Sequence, residues 1–96
     1  MALNLSYSHS KLDVTTTSQT AVAASDRRKW LLLINDSDTD IYINMGGTAV
    51  ANTGIRLNAN GGRLELNPVL GSRYQGAITA IHNGTGNKAL LITEGV

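Results

Sequence analysis

Residues 31–47 read LLLINDSDTDIYINMGG, and the role of the acidic centre decides the fold. Asp36, Asp38 and Asp40 stand at alternate positions, as the first carboxylates of an EF-hand calcium loop do. The match then fails. Ile41 occupies the sixth position, where Gly makes the sharp turn, and Gly47 the twelfth, where a bidentate Glu closes the cage. Asn35, Asp36, Ser37 and Asp38 are turn formers whose side chains bond nearby backbone. The stretch therefore reads as strand, turn, strand, with no metal or cofactor expected; a weak calcium site of another geometry is the alternative.

Upstream, RRKWLLLIN (27–35) sets Trp30, Leu32 and Ile34 on one face and Leu31 and Leu33 on the other. A strand apolar on both faces is expected to be central and covered on both sides, with Trp30 in the core. Downstream, DIYINM turns Ile41, Ile43 and Met45 inward and Tyr42 and Asn44 outward. GIRL and GRLEL bury Ile55, Leu57, Leu64 and Leu66 and expose Arg56, Arg63 and Glu65, and Asn58–Gly62 between them predicts a hairpin. A second hairpin is predicted where GAITAIH and KALLITE flank Asn83–Asn87. KLDVTTT and SQTAVAA supply the remaining strand patterns, and no window shows the 3.6-residue period of a helix.

These features predict an all-β protein: a compact antiparallel β-sandwich, jelly-roll or Ig-like, of seven or eight short strands. Residues 12–96 form its single domain. Residues 1–11, polar apart from Leu3, Leu5 and Tyr7, are expected to be an arm.

Eight basic and seven acidic residues give a net charge of +1, which argues against nucleic acid as a partner. No apolar run is long enough for a membrane span, and the start lacks a secretory signal, so the expected setting is the cytoplasm and the sequons at Asn4, Asn35 and Asn83 carry little weight. Cysteine is absent. With 16% charged and 42% hydrophobic residues, the surface is rich in Ser, Thr, Asn and Gly and suits assembly.

Catalytic signatures are weak. His9 lies in the arm and His82 at a strand end, neither beside a Gly-x-Ser-x-Gly elbow, and no carboxylate pair sits in an apolar stretch. The Gly-rich MGGTAVANTG and NGTGNK lack a P-loop ending. No enzyme activity and no small-molecule substrate are expected. Arg27, Arg28 and Lys29 either solvate a strand start or dock an acidic partner. Tyr7, Tyr42 and Tyr74 are candidate exposed anchors for protein or carbohydrate.

The succession RRKWLLLINDSDTDIYINMGG, TGIRLNANGGRLEL and GAITAIHNGTGNKALLITEG, over residues 27–95, resembles small structural proteins of tailed bacteriophages. The resemblance implies a β-sandwich, a place on the virion and no catalysis. The expected function is a head decoration (cement) protein on the capsid surface, binding the major capsid protein as a small homo-oligomer, a trimer for instance. Leu3, Leu5 and Tyr7 would anchor the arm, and Arg27, Arg28 and Lys29 would form a docking patch. A tail, neck or fibre-base protein and a carbohydrate-binding module are the alternatives.

Overall fold

The computed structural model describes residues 5–67 and 74–96. Its strands are β1 (Tyr7–Val14), β2 (Gln19–Val22), β3 (Trp30–Asn35), β4 (Ile41–Met45), β5 (Ile55–Leu57), β6 (Arg63–Leu66), β7 (Ile78–Ile81) and β8 (Lys88–Gly95). They make two four-stranded antiparallel sheets, sheet A in the order β1-β8-β3-β6 and sheet B in the order β2-β7-β4-β5. The all-β sandwich expected from the alternation is the fold.

The strand order follows from one folding-back of the chain. β1 pairs with β8, β2 with β7, β3 with β6 and β4 with β5, so the chain is a long antiparallel ribbon with its tip at the β4–β5 connection. Wrapping the ribbon sets β3 beside β8 and β4 beside β7 and divides it into two facing sheets. This is the jelly-roll arrangement. Between the sheets lie Val14, Leu31, Leu33, Ile41, Ile43, Leu57, Ile78, Ala80 and Leu90, all nearly inaccessible to solvent. Met45 points the same way as Ile43 but is 39% exposed at the end of its strand.

Both predicted hairpins are corrected by this topology. β5 and β6 lie in different sheets, and so do β7 and β8; among the described strands only β4 and β5 are chain neighbours that pair. The turn chemistry itself is present: Asn60 and Gly61 adopt φ of 61° and 112°, and Gly86 a φ of 75°. Reversing the chain within a sheet and arching it to the facing sheet, about 10 Å away, call on the same residues.

The boundary of the arm is also corrected. Tyr7–Lys11 pair in register with Gly95–Leu91 as the first part of β1. Their side chains stay exposed, which is why Ser8, His9 and Ser10 look like arm in the sequence. An edge strand needs only one backbone partner, and β8 supplies it. Leu5 is half-buried, and the anchor expected at Leu3 lies outside the described residues.

The acidic stretch 36–40 is the arch from β3 to β4. Asn35, fully buried, donates from Nδ2 to the carbonyls of Thr39 (2.8 Å) and Leu57 (2.9 Å), and Ser37 donates to Asn35 Oδ1 at 2.6 Å. Asp40 Oδ1 accepts the Ala59 N–H at 2.9 Å, and Asn60 N–H bonds the Ser37 carbonyl at 2.7 Å. The two neighbouring arches, 36–40 and 58–62, thus satisfy each other's polar groups. At Gly62 a Cβ would collide with the Asn58 backbone, so the second arch can close only around a glycine.

Candidate interaction surface

The outward residues of sheet A form rows that follow from the register. Tyr7, Gly95 and Trp30 make one row; His9, Thr93, Leu32 and Glu65 the next; Lys11, Leu91, Ile34 and Arg63 the third. Trp30, Leu32 and Ile34 are half-buried, Leu91 is 37% and Tyr7 53% exposed. Nothing among the described residues forms a third layer over them. This corrects the expectation that both faces of β3 are covered and that Trp30 is core.

Polar groups frame this apolar stripe. Trp30 Nε1 donates to Glu65 Oε2 at 2.8 Å, and Glu65 also lies 3.5 Å from the Arg63 guanidinium. On the other border His9 Nδ1 meets the Thr93 hydroxyl at 2.9 Å, and Lys11 pairs with Asp13 at 3.6 Å. Tyr7 and Trp30 meet edge to face, ring centres 5.8 Å apart and planes at 86°. They come together because Gly95 lies between them: a Cβ there would stand 3.1 Å from Leu5 and 3.2 Å from Tyr7. An apolar centre inside a polar border is the anatomy of a protein interface.

The basic run does not act as one patch. Arg28 is 2% exposed. Its Nε donates to Glu94 Oε2 at 2.8 Å, Nη1 to the carbonyls of Tyr74 (3.1 Å) and Gly76 (3.0 Å), and Nη2 to the carbonyl of Ala23. It ties the β2–β3 connection, β8 and the segment before β7 together, as five donors in a rigid fork allow. Only Arg27 and Lys29 face solvent. The sequence carried a signal for this: Leu90, Ile92 and Glu94 share the inner face of β8, and a carboxylate placed inward calls for a buried cation.

The tyrosines also separate. Tyr42 does point outward, from sheet B, but it is only 9% exposed, because the β4–β5 connection folds over it and its hydroxyl donates to Asn52 Oδ1 at 2.9 Å. Asn52 and Gly54 reach this position with φ of 66° and 82°. Tyr42, Asn52, Thr53, Gly54 and Arg56 line an open cleft of ≈ 300 Å³. Tyr74 is half-buried against the core, its hydroxyl donating to the Ala77 carbonyl at 2.8 Å. Tyr42 and Tyr74 therefore make no exposed aromatic platform.

His82 is 1% exposed. Its Nδ1 accepts the Gly84 N–H at 3.0 Å and its Nε2 meets the Gly86 carbonyl at 2.7 Å, partners that assign the neutral ring with the proton on Nε2. The ring organises the β7–β8 arch. Asp38 Oδ1 takes Lys88 Nζ at 2.8 Å, and that hydrogen bond, helped by the Thr39 hydroxyl at 3.0 Å, holds the carboxyl below its ordinary value. Asp40 is spent on Ala59, and among the described residues no three His, Asp or Glu side chains converge. No family model, curated protein or solved structure matches this chain.

Proposed function

We propose that this is a non-enzymatic virion structural protein, a head decoration protein that binds the major capsid protein shell of a tailed bacteriophage through the outer face of sheet A. The observation that carries the reading is the stripe of Trp30, Leu32, Ile34 and Leu91, with no third layer over it among the described residues and a polar border around it. The sequence resemblance supports the virion setting, and the near-neutral surface supports assembly. A repeating shell multiplies weak contacts by effective concentration, so each copy needs only a modest interface.

The assay is co-sedimentation of the purified protein with capsid shells that lack it. Binding to expanded shells, lost in Leu32→Glu while the variant keeps its fold, is the expected result; a wild-type protein that stays in the supernatant with every shell form rejects the reading. Removing residues 1–11 would take away most of β1, one of the two strands that pair with β8, so the arm is tested by removing residues 1–4 alone. Copy number per particle separates decoration from a tail, neck or fibre-base role.

The carbohydrate reading retains one favourable observation, the Tyr42–Arg56 cleft, whose guanidinium has no hydrogen-bond or ion partner among the described residues. Glycan binding abolished by Arg56→Ala would move the function there.

A further inference from the structure

We propose that β1 is a self-association edge: two copies of this chain pair their β1 strands antiparallel about a twofold axis at Ser10, joining their A sheets into one continuous sheet. The pairing itself does not depend on the virion reading.

The direction of the β1 backbone groups is fixed by one pair. Ser6 and Val96 exchange both N–H···O=C bonds, each 2.9 Å. Since the β1–β8 register runs without interruption, the even-numbered residues of β1 bond β8 and the odd-numbered ones turn outward. β8 confirms this from its other side, where the carbonyls of Gly95 and Ala89 accept from Lys29 (2.8 Å) and Asp36 (3.0 Å) next to β3. Tyr7, His9, Lys11 and Asp13 therefore each hold an N–H and a C=O toward an edge that no described strand occupies. The open row stops at Thr15, whose N–H bonds Gln19 Oε1 (2.8 Å) and whose carbonyl accepts from His82 (3.1 Å).

The other three edges are blunted. β2 has four residues and a register shift between Thr20 and Val22, β5 has three residues and β6 four. β1 has eight, with no proline and no shift. Lysine often guards an edge, but Lys11 is already neutralised by Asp13.

A second copy fits this row because the row is symmetric. With the axis at Ser10, Tyr7 meets Asp13 of the other copy and His9 meets Lys11, every outward group finds a partner, and no like charges stand directly opposite. Moving the axis to Lys11 sets lysine against lysine and brings Tyr7 to the occupied Thr15. Moving it to Leu12 leaves Tyr7 outside the ladder and His9 against Thr15. If the proposed function holds, the joined sheet also presents two apolar stripes on one surface, a bivalent adhesive.

Light scattering after gel filtration and amide hydrogen exchange, both over a range of concentrations, test the pairing. The expected result is a dimer in which the amides of Tyr7, His9, Lys11 and Asp13 slow as concentration rises, while those of Ser8, Ser10 and Leu12 are slow throughout. His9→Pro removes one outward N–H and no backbone bond to β8, and its loss of the exposed His9–Thr93 side-chain bond is shared by His9→Ala; it should weaken the dimer at least about tenfold relative to His9→Ala, which stays dimeric, while the two variants melt alike at concentrations where both are monomeric. A monomer up to about 1 mM, odd-numbered amides that never slow, or a folded His9→Pro that dimerises like the wild type would each overturn the proposal. Should His9→Pro not fold, the exchange pattern decides alone. Shell binding is scored separately, so a monomer that binds shells defeats only this inference, and a dimer that does not defeats only the virion reading.

Discussion

On the outer face of sheet B, where Tyr42 stands between Ile81 and Arg56, the aromatic ring is sealed by the chain itself: the β4–β5 connection folds back and Asn52 caps its hydroxyl. On sheet A the outward Trp30, Leu32, Ile34 and Leu91 have no such cover among the described residues. β3 and β4 each send alternate residues into the same core, so the difference lies wholly in their second faces. β4 carries Tyr42 and Asn44 there, groups that local hydrogen bonds can satisfy. β3 carries half-buried apolar side chains with no local hydrogen bonds to satisfy them apart from the Trp30 indole N–H, and the proposed partner face on sheet A rests on that contrast.

The two sheets are joined at Arg28, which reaches from the β2–β3 connection to β8 and to the segment before β7. Arg28→Ala leaves Glu94 without its cation and frees three carbonyls, and should cost about 3–5 kcal/mol in urea denaturation. Arg28→Lys, with one charged end for four acceptors, should recover only part of it. A loss under about 1 kcal/mol for Arg28→Ala would mean that the carbonyls of Ala23, Tyr74 and Gly76 are satisfied some other way.

Adjacent leucines on β3 sharpen the comparison further. Leu33 is fully buried between the sheets, and Leu33→Ala should cost about 2–5 kcal/mol. Leu32 faces the other way, and Leu32→Ala should cost about 1 kcal/mol or less while weakening attachment to the partner. Equal stability losses from the two would show that the outer face is packed in the free protein.

The alternation that identified β3 and β4 was legible because side-chain direction in a strand is a local property, repeating every second residue. Which strand pairs with which is not local. Asn60-Gly61 and Asn83–Asn87 announce chain reversals, yet both join strands in different sheets, and nothing within a five-residue loop records whether its ends are neighbours or face each other. Tyr42 was placed on the correct face, but its cover is a loop whose path depends on positive φ at Asn52 and Gly54. Arg28 was hidden in a run of three basic residues; only the inward parity of Glu94, at the far end of the chain, singles it out. The polar β1 residues were unreadable as strand for a related reason, since pairing with β8 asks nothing of their side chains.

The seal over Tyr42 gives the next smaller effect. Asn52 combines a left-handed backbone with the acceptor for the Tyr42 hydroxyl. Asn52→Ala loses both and should cost about 1–2 kcal/mol, whereas Asn52→Gly keeps the backbone and should lose only the hydrogen bond, about 0.5–1 kcal/mol. Thermal denaturation of the pair is the measurement. Indistinguishable variants would mean that the backbone conformation at residue 52 contributes nothing to closing sheet B.

The smallest effect is expected at the arch between the sheets, where Asp38 is held to Lys88 at the start of β8. Because the folded protein depresses this carboxyl below 3.8, the contribution is present above the ordinary value and is lost as pH falls through the folded one. Lys88→Met should therefore raise the Asp38 titration midpoint toward 3.8, read by carboxyl-carbon NMR, and added salt should move the wild-type midpoint the same way. Two donors reach this carboxyl, and they respond differently: the Thr39 hydroxyl is uncharged, so its hold survives both the lysine substitution and the salt. A midpoint unmoved by either treatment would assign the depression to Thr39 and leave the ion pair between arch and strand without energetic weight.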